Sequence, residues 1–350
     1  MNLVEVDISP STSEQIRQFR DCYIEYPLIK AIYADFDRLR ENQHLGGKQR
    51  GLLITGDSGS GKTQLVENYR KQFNDQIQQG FVNKLLLVTR VPAELSLKNI
   101  IAEMMADLGQ FGSAQVCQKG SPLEMIQALV ALLKQCKTEL VIINKSHLLT
   151  DFNHKTMGFQ ILGYLRDLSE KTGIPIVFVG MPWASQILEH PDWKANIQAN
   201  RELAYFKIVG KEGINLKDKQ GVHVPFIALL KGFARRMPFE TIPELGRAEF
   251  AMPLFAASNG CIDRIKELLD EGVKQALKSG SETLAREHLS SVYSLFHPTE
   301  LNTFEIPLVE LQISEVDEYS KINENALKPE DAIIPAQFTR RTPLSQLLVR

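Results

Sequence analysis

Apolar positions in this 350-residue chain follow two rhythms. Short unbroken runs, Leu52-Leu53-Ile54, Leu85-Leu86-Leu87-Val88, Leu140-Val141-Ile142-Ile143 and Ile174-Pro175-Ile176-Val177-Phe178-Val179, fit strands buried on both faces of a parallel sheet. The stretches between them turn to a helical period. Leu97, Ile100, Ile101, Met104, Met105 and Leu108 share one helix face that stops at Gly109. Ser121-Pro122-Leu123-Glu124 is a capping box with proline at the first helical position, and it opens a helix through Leu129, Leu132 and Leu133. Phe159, Ile161, Leu162, Leu165 and Leu168 mark another, and Leu28, Ile32, Phe36 and Leu39 mark one ahead of the first strand. Ala204-Tyr205-Phe206-Lys207-Ile208 is the expected fifth strand.

Strands alternating with helices at this spacing predict an α/β fold, a parallel sheet flanked by helices with its ligand site beyond the carboxyl ends of the strands. From about Val222 the pattern is helical only, over 226–235, 247–257, 262–277 and 284–296. Beyond Pro298 the period fades. The expected organisation is therefore an N-terminal helical segment (1–47), an α/β core (48–210), a small helical lid (211–297) and an extended C-terminal tail (298–350). Within the tail, Ile306-Pro307-Leu308-Val309, Ile333-Ile334-Pro335 and Pro343 to Val349 are apolar clusters that a merely solvated tail would lack, so they are candidate docking segments.

The candidate chemistry sits after the first strand. Gly56-Asp57-Ser58-Gly59-Ser60-Gly61-Lys62-Thr63 fits the phosphate-binding pattern G-x-x-x-x-G-K-[ST] without a gap, between an apolar strand and a helix start. Such a loop turns successive N–H groups toward an oxyanion, and the following helix adds its dipole. Lys62 would reach the β- and γ-phosphates of ATP, and Thr63 would offer its hydroxyl to Mg²⁺.

Composition changes this picture little. Hydrophobic content of 43% and charged content of 23% are ordinary for a globular protein, and no run is long enough to span a bilayer. The opening residues lack a basic region followed by an apolar core, which predicts no secretory signal and a cytoplasmic protein with no membrane partner. Cys22, Cys117, Cys136 and Cys261 are scattered, as expected of thiols in a reducing compartment without zinc. A net charge of −2 argues against a monomer that binds DNA tightly through a basic surface, but a ring or filament placing one or two lysines per subunit along the backbone could still bind.

A phosphate loop in such a domain, followed by a helical lid, resembles the P-loop AAA+ ATPases. Tyr26-Pro27, Gly46-Gly47-Lys48-Gln49-Arg50, Val179-Gly180-Met181-Pro182 and Ser258-Asn259-Gly260-Cys261-Ile262-Asp263-Arg264-Ile265 narrow the likeness to the TniB/TnsC transposition regulators, closest to the short TnsC forms of CRISPR-associated transposons. The resemblance covers roughly residues 20 to 295. It implies an ATP-dependent homo-oligomer, ring or filament, on duplex DNA that links a TniQ/TnsD-type target-selection protein to TnsA/TnsB-type transposase subunits.

One departure stands out. Where that family has Asp-Glu at the end of the third long strand, this chain has Asn144-Lys145. Asn144 keeps a hydrogen-bond acceptor but no charge, and protonated Lys145 is no base, so hydrolysis should be slow or absent unless His147 or Asp151 substitutes. The resemblance also nominates Arg201 as a finger toward a neighbouring subunit's nucleotide, against a solvated surface arginine. It nominates Arg264 as a second sensor, against a salt bridge with Asp263 or Glu267. Lys98 and Lys119 are the nominated DNA contacts, against plain solvation. A hydrolysis-deficient ATP-bound scaffold and a replication-initiator or helicase-loader ATPase are the competing functions.

Overall fold

The computed structural model describes residues 10–48, 50–73, 76–78, 81–109, 121–151, 155–210, 213–214, 224–323, 325–326, 328 and 331–347. They form two compact units: a sheet unit, Leu28–Ala204 with Tyr319–Ala336, and a helical unit holding the rest. Helix α1 (Pro10–Arg20) belongs to the helical unit, and α2 (Pro27–His44) opens the sheet unit.

The sheet unit is built on β1 (Gly51–Thr55), a short antiparallel pair β2 (Gln76–Gln78) and β3 (Phe81–Asn83), then β4 (Leu86–Arg90), β5 (Leu140–Asn144), β6 (Ile176–Gly180) and β7 (Ile197–Glu202). Its five long strands are all parallel, in the order β4-β5-β6-β1-β7. Every residue of β1 and β6 is buried, which is why these strands read as unbroken apolar runs. One face, carrying Leu53, Leu87, Val141, Ile143, Ile176 and Phe178, packs on α4 (Leu97–Asp107), α5 (Pro122–Gln135) and α6 (Lys155–Thr172). The capping box forms as read: Ser121 Oγ accepts from Glu124 N at 3.3 Å, and Glu124 Oε2 accepts from Ser121 N at 2.8 Å. Helix α3 (Lys62–Arg70) lies against α2, with the Tyr33 hydroxyl donating to the Leu65 carbonyl at 2.9 Å.

The fifth strand differs from expectation. It is β7, Ile197–Glu202, not 204–208. At the sheet edge its residues alternate half-buried and exposed, so Gln198, Asn200 and Glu202 face solvent and its apolar content is too thin to register as a run. Phe206 and Ile208, which suggested a strand, are instead buried in the helical unit.

The short helix α7 (Pro191–Asn196) leads into β7, and after it come the pair β8 (Val209–Gly210) and β9 (Gly213–Ile214), and α8 (Pro225–Ala234), α9 (Ala248–Ser258), α10 (Ile262–Lys278) and α11 (Arg286–Phe296). Helix α1 docks on α10: Lys266 Nζ donates to the Phe19 carbonyl at 3.0 Å and lies 4.5 Å from the Phe19 ring centre, and Arg20 pairs with Glu271 at 2.6 Å.

The segment beyond Pro298 pairs with itself in short ladders. β10 (Gln312–Ile313) pairs with β15 (Thr342–Pro343), β11 (Val316–Glu318) with β14 (Gln337–Phe338), and α12 (Leu344–Leu347) follows. Leu311, Ile313, Val316 and Leu344 are buried, and Glu315 Oε1 accepts from Ile208 N at 2.5 Å and Val209 N at 2.8 Å. In the chain between β11 and β14, β12 (Lys321–Ile322) pairs antiparallel with β13 (Ile333–Ile334), and this pair belongs to the sheet unit.

Candidate phosphate-binding site

The loop Gly56–Thr63 joins β1 to α3 at the carboxyl end of the sheet. Gly59 and Gly61 have φ of 76° and 87°, the left-handed region a side chain rarely tolerates, and this turns the loop tightly into the helix. Gly61 caps α3 without a side-chain hydrogen bond, so no side-chain cap engages the opening N–H groups of the helix. Lys62 Nζ donates to the carbonyls of Gly56 at 2.8 Å and Asp57 at 2.6 Å, curling back over the loop. Thr63 is exposed. A tight glycine turn, a helix N-terminus and a lysine beside them fit a phosphate chain.

The end of β5 lies one strand away. Gly180, closing the intervening β6, accepts from Gly56 N at 3.2 Å, and a Cβ there would sit 2.8 Å from Ser146 Oγ and 2.9 Å from His147 N. Glycine at this position lets the loop and the turn after β5 approach each other. The Asn144 carbonyl accepts from Val91 N at 2.9 Å, which fixes its main chain, while its side chain is half-buried. Lys145 is exposed with φ 55°, and a 3-10 turn, Ser146–Thr150, follows. For a divalent cation these residues offer the Thr63 hydroxyl and the neutral Asn144 amide. Among the described residues no group of three His, Cys, Asp or Glu side chains could hold a metal. The donor set therefore fits phosphate well and Mg²⁺ poorly.

His147 is half-buried and stands edge-to-face on Trp183, with ring centres 5.4 Å apart. Burial, helped by the charge of Lys62, pushes its imidazole down from 6.5 to about 4. Its Nδ1 accepts from Met181 N at 3.4 Å. The neutral ring then carries its proton on Nε2, which makes that nitrogen a donor and not a base. This proton refusal has a pH signature. Below 6.5 the unfolded chain binds a proton that folded His147 rejects, so stability should fall as pH falls, with the loss complete below about 4. The full loss amounts to up to about 3 kcal/mol. Urea titrations of the intact chain and of His147→Gln between pH 7 and 4 should show a shallower slope for the variant; identical slopes would refute the assignment.

Arg201 lies within β7, in register with Ile54. Its Nε donates to Asp35 Oδ2 at 2.8 Å, Arg38 reaches Asp35 Oδ1 at 3.2 Å, and the nearby carboxylate raises the guanidinium above its ordinary range. Asp35 is buried on α2, so this pair ties the edge strand to that helix. Arg264 is on the first turn of α10 in the helical unit, exposed beside a cavity of about 520 Å³ that His297, Glu300 and Arg341 also line. Lys98 is exposed on the first turn of α4, and Lys119 lies outside the described residues.

Ser320 is the residue that sequence reasoning missed. Its N–H donates to Asp57 Oδ2 at 2.9 Å, and its hydroxyl donates to the same oxygen. Nothing in the polar stretch around it signals a contact with a loop 263 residues away. The partner of Arg201 was more readable, because Asp35 falls inside the apolar stripe of Ile32, Phe36 and Leu39.

Among solved structures, the Aeropyrum pernix ORC2 protein in ADPNP-ADP complexes is similar at 16% identity over 83% of this chain and 75% of that chain, with a TM-score of 0.56. The Aeropyrum pernix ORC1 protein in complex with DNA shares 14% identity over 84% and 68% of the two chains, with a TM-score of 0.50. Cdc6p from Pyrobaculum aerophilum shares 14% over 88% and 73%, also at 0.50. At these identities the likeness concerns the fold, which is that of the AAA+ proteins of the ORC/Cdc6 kind. No curated protein matches the sequence. None of the described helices is long and apolar enough to cross a membrane. The profile of the bacterial TniB protein family matches residues 15–196, and with more than half its length in that match the chain belongs to the TniB family.

Proposed function

We propose that this chain is a nucleotide-binding regulator of DNA transposition, acting in the cytoplasm as an ATP-bound homo-oligomer, ring or filament, on duplex DNA. In this reading it is closest to the short TnsC forms of CRISPR-associated transposons and links a TniQ/TnsD-type target-selection protein to TnsA/TnsB-type transposase subunits. The observation that carries it is the phosphate loop, with its uncapped helix and Lys62 folded over its carbonyls, in a chain of the TniB family. Nucleotide and DNA, named in the ORC2 and ORC1 structures, are ligands the same fold accommodates there.

The end of β5 favours a bound nucleotide over a turned-over one. Asn144 and Lys145 supply neither the negative charge that would orient a metal's water shell nor a base, and His147 presents Nε2–H. ATP would then serve as an assembly ligand. Arg201, as a finger toward a neighbouring subunit, would have to leave Asp35; Arg264 as second sensor and Lys98 and Lys119 as phosphate contacts complete the proposal. With a net charge of −2, DNA affinity should arise from the assembly and decline with salt.

Lys62→Ala tests the core of the reading. It removes a charge-assisted contact to phosphate and should weaken ATP binding by about 1–3 kcal/mol, seen by calorimetry. Equal affinities in the variant and the unchanged chain would rule out nucleotide binding at this loop.

A further inference from the structure

The buried carboxylate of Asp57 is held from two sides. Its Oδ1 accepts from Ser58 N at 2.8 Å within the loop, and its Oδ2 takes both donors of the buried Ser320. Ser320 begins a compact piece of chain. Lys321 and Ile322 pair antiparallel with Ile334 and Ile333, Asn323 N donates to the Ala332 carbonyl at 2.9 Å, and Ala326 and Ala332 are buried. β12 also packs on the 3-10 turn Pro182–Glu189, which follows the same Gly180 whose carbonyl receives Gly56 N–H. The segment thus touches the phosphate loop and the turn that follows the strand end bracing it.

We propose that residues 319–336 are a strap that positions the phosphate loop through Ser320, so that nucleotide affinity depends on the strap being docked. The inference rests on the nucleotide-binding reading. Within the loop, Ser58 N holds the Asp57 carboxylate while Ser60 N and Lys62 Nζ hold its carbonyl, and from outside the loop Ser320 holds the carboxylate. A phosphate in the loop competes for Lys62, because an anionic oxygen is a stronger acceptor than a carbonyl. Once Lys62 turns to the phosphate, the Ser320 contact still ties Asp57 to a segment outside the loop. A loop already held in its binding shape loses less freedom on binding, and that gain is reciprocal: what strap docking adds to nucleotide affinity, nucleotide returns to strap docking. The strap's ends continue into β11 and β14, so displacement of the strap by a partner would lower nucleotide affinity without touching the phosphate site.

The experiment uses the full chain and measures binding of a fluorescent ATP analogue together with hydrogen exchange of peptides covering 319–336. Ser320→Ala should weaken nucleotide binding about 5–30-fold and speed exchange in the strap, whereas Ser320→Thr, which keeps both donors, should stay near the unchanged chain. ATP should slow strap exchange in the unchanged chain and in Ser320→Thr. Lys62→Ala should lose nucleotide yet keep the strap protected. If Ser320→Ala speeds strap exchange but binds nucleotide as tightly as the unchanged chain, the coupling is overturned; if it changes neither, the clamp itself is. Should Ser320→Ala fail to fold, Asp57→Asn, which keeps the shape and weakens the acceptor, must show the same paired change in the same direction, and unchanged affinity there overturns the coupling. Failure of the unchanged chain to bind nucleotide at all would overturn the functional reading and the coupling together, and is recognised because strap exchange would still respond to Ser320→Ala.

Discussion

Asn144→Asp combined with Lys145→Glu is expected to raise ATP turnover by about 10²–10⁴-fold, the usual contribution of a well-placed general base. The main chain is already in place to receive the pair. The Asn144 carbonyl is pinned by Val91 N, the strand runs in register between β4 and β6, and the Gly180 contact brings the turn after β5 against the phosphate loop. Lys145 occupies a left-handed conformation at φ 55°, which costs a glutamate no more than a lysine, so the exchange adds charge without new strain. The asparagine-to-aspartate half would add a negative charge where the end of β5 and the loop offer a cation the Thr63 hydroxyl and a neutral amide. The lysine-to-glutamate half supplies the base that His147, with its proton on Nε2, does not. Each single change should therefore fall well short of the double. Phosphate release by the four proteins, measured with ATP and duplex DNA present, checks this, and turnover by the unchanged chain at the rate of the double variant would defeat the argument.

What could be read from the sequence follows from how each element is buried. β1, β5 and β6 are covered on both faces, so burial leaves an unbroken apolar trace, and the helices facing them leave a clean period. β7 is an edge strand whose half-buried positions are Ile197, Ala199 and Arg201, and a strand that spends one of them on an arginine paired with Asp35 carries little hydrophobic signal. The segment after Pro298 failed to show a period for a related reason. Its ladders are two or three residues long, and one or two inward side chains, such as Ile313 and Val316, cannot establish an alternation. The phosphate loop was legible because its spacing is dictated by a ligand, and the missing acid pair because the family resemblance places it at the end of the third long strand. Ser320 could not be found this way, since one buried hydroxyl meeting one carboxylate requires no pattern in either stretch.

Gly158→Ala should destabilise the sheet unit by at least about 3 kcal/mol, beyond the usual range for an added methyl group, because the obstruction is main chain. Gly158 is buried in the first turn of α6, and a Cβ there would lie 1.8 Å from the Leu149 carbonyl oxygen and 2.7 Å from its carbon. No rotamer change relieves a clash with a carbonyl. Either α6 draws its own Ile161, Leu162, Leu165 and Leu168 out of the core, or the 3-10 turn 146–150 moves. The turn is itself tied down: Leu149 is fully buried, and the Thr150 hydroxyl donates to the carbonyls of His147 at 3.0 Å and Trp183 at 3.3 Å. Displacing it would also shift Asn144 to His147 relative to the phosphate loop, so nucleotide affinity should drop in whatever fraction remains folded. Gly163 provides the control on the same helix. A Cβ there meets nothing nearer than His190 Nε2 at 4.0 Å, so Gly163→Ala should stabilise by about 0.5–1 kcal/mol through the lower entropy of the unfolded chain. Denaturant midpoints for the two variants should move in opposite directions from that of the unchanged chain, and a Gly158→Ala midpoint equal to it would mean that α6 does not pack on the turn after β5 as described.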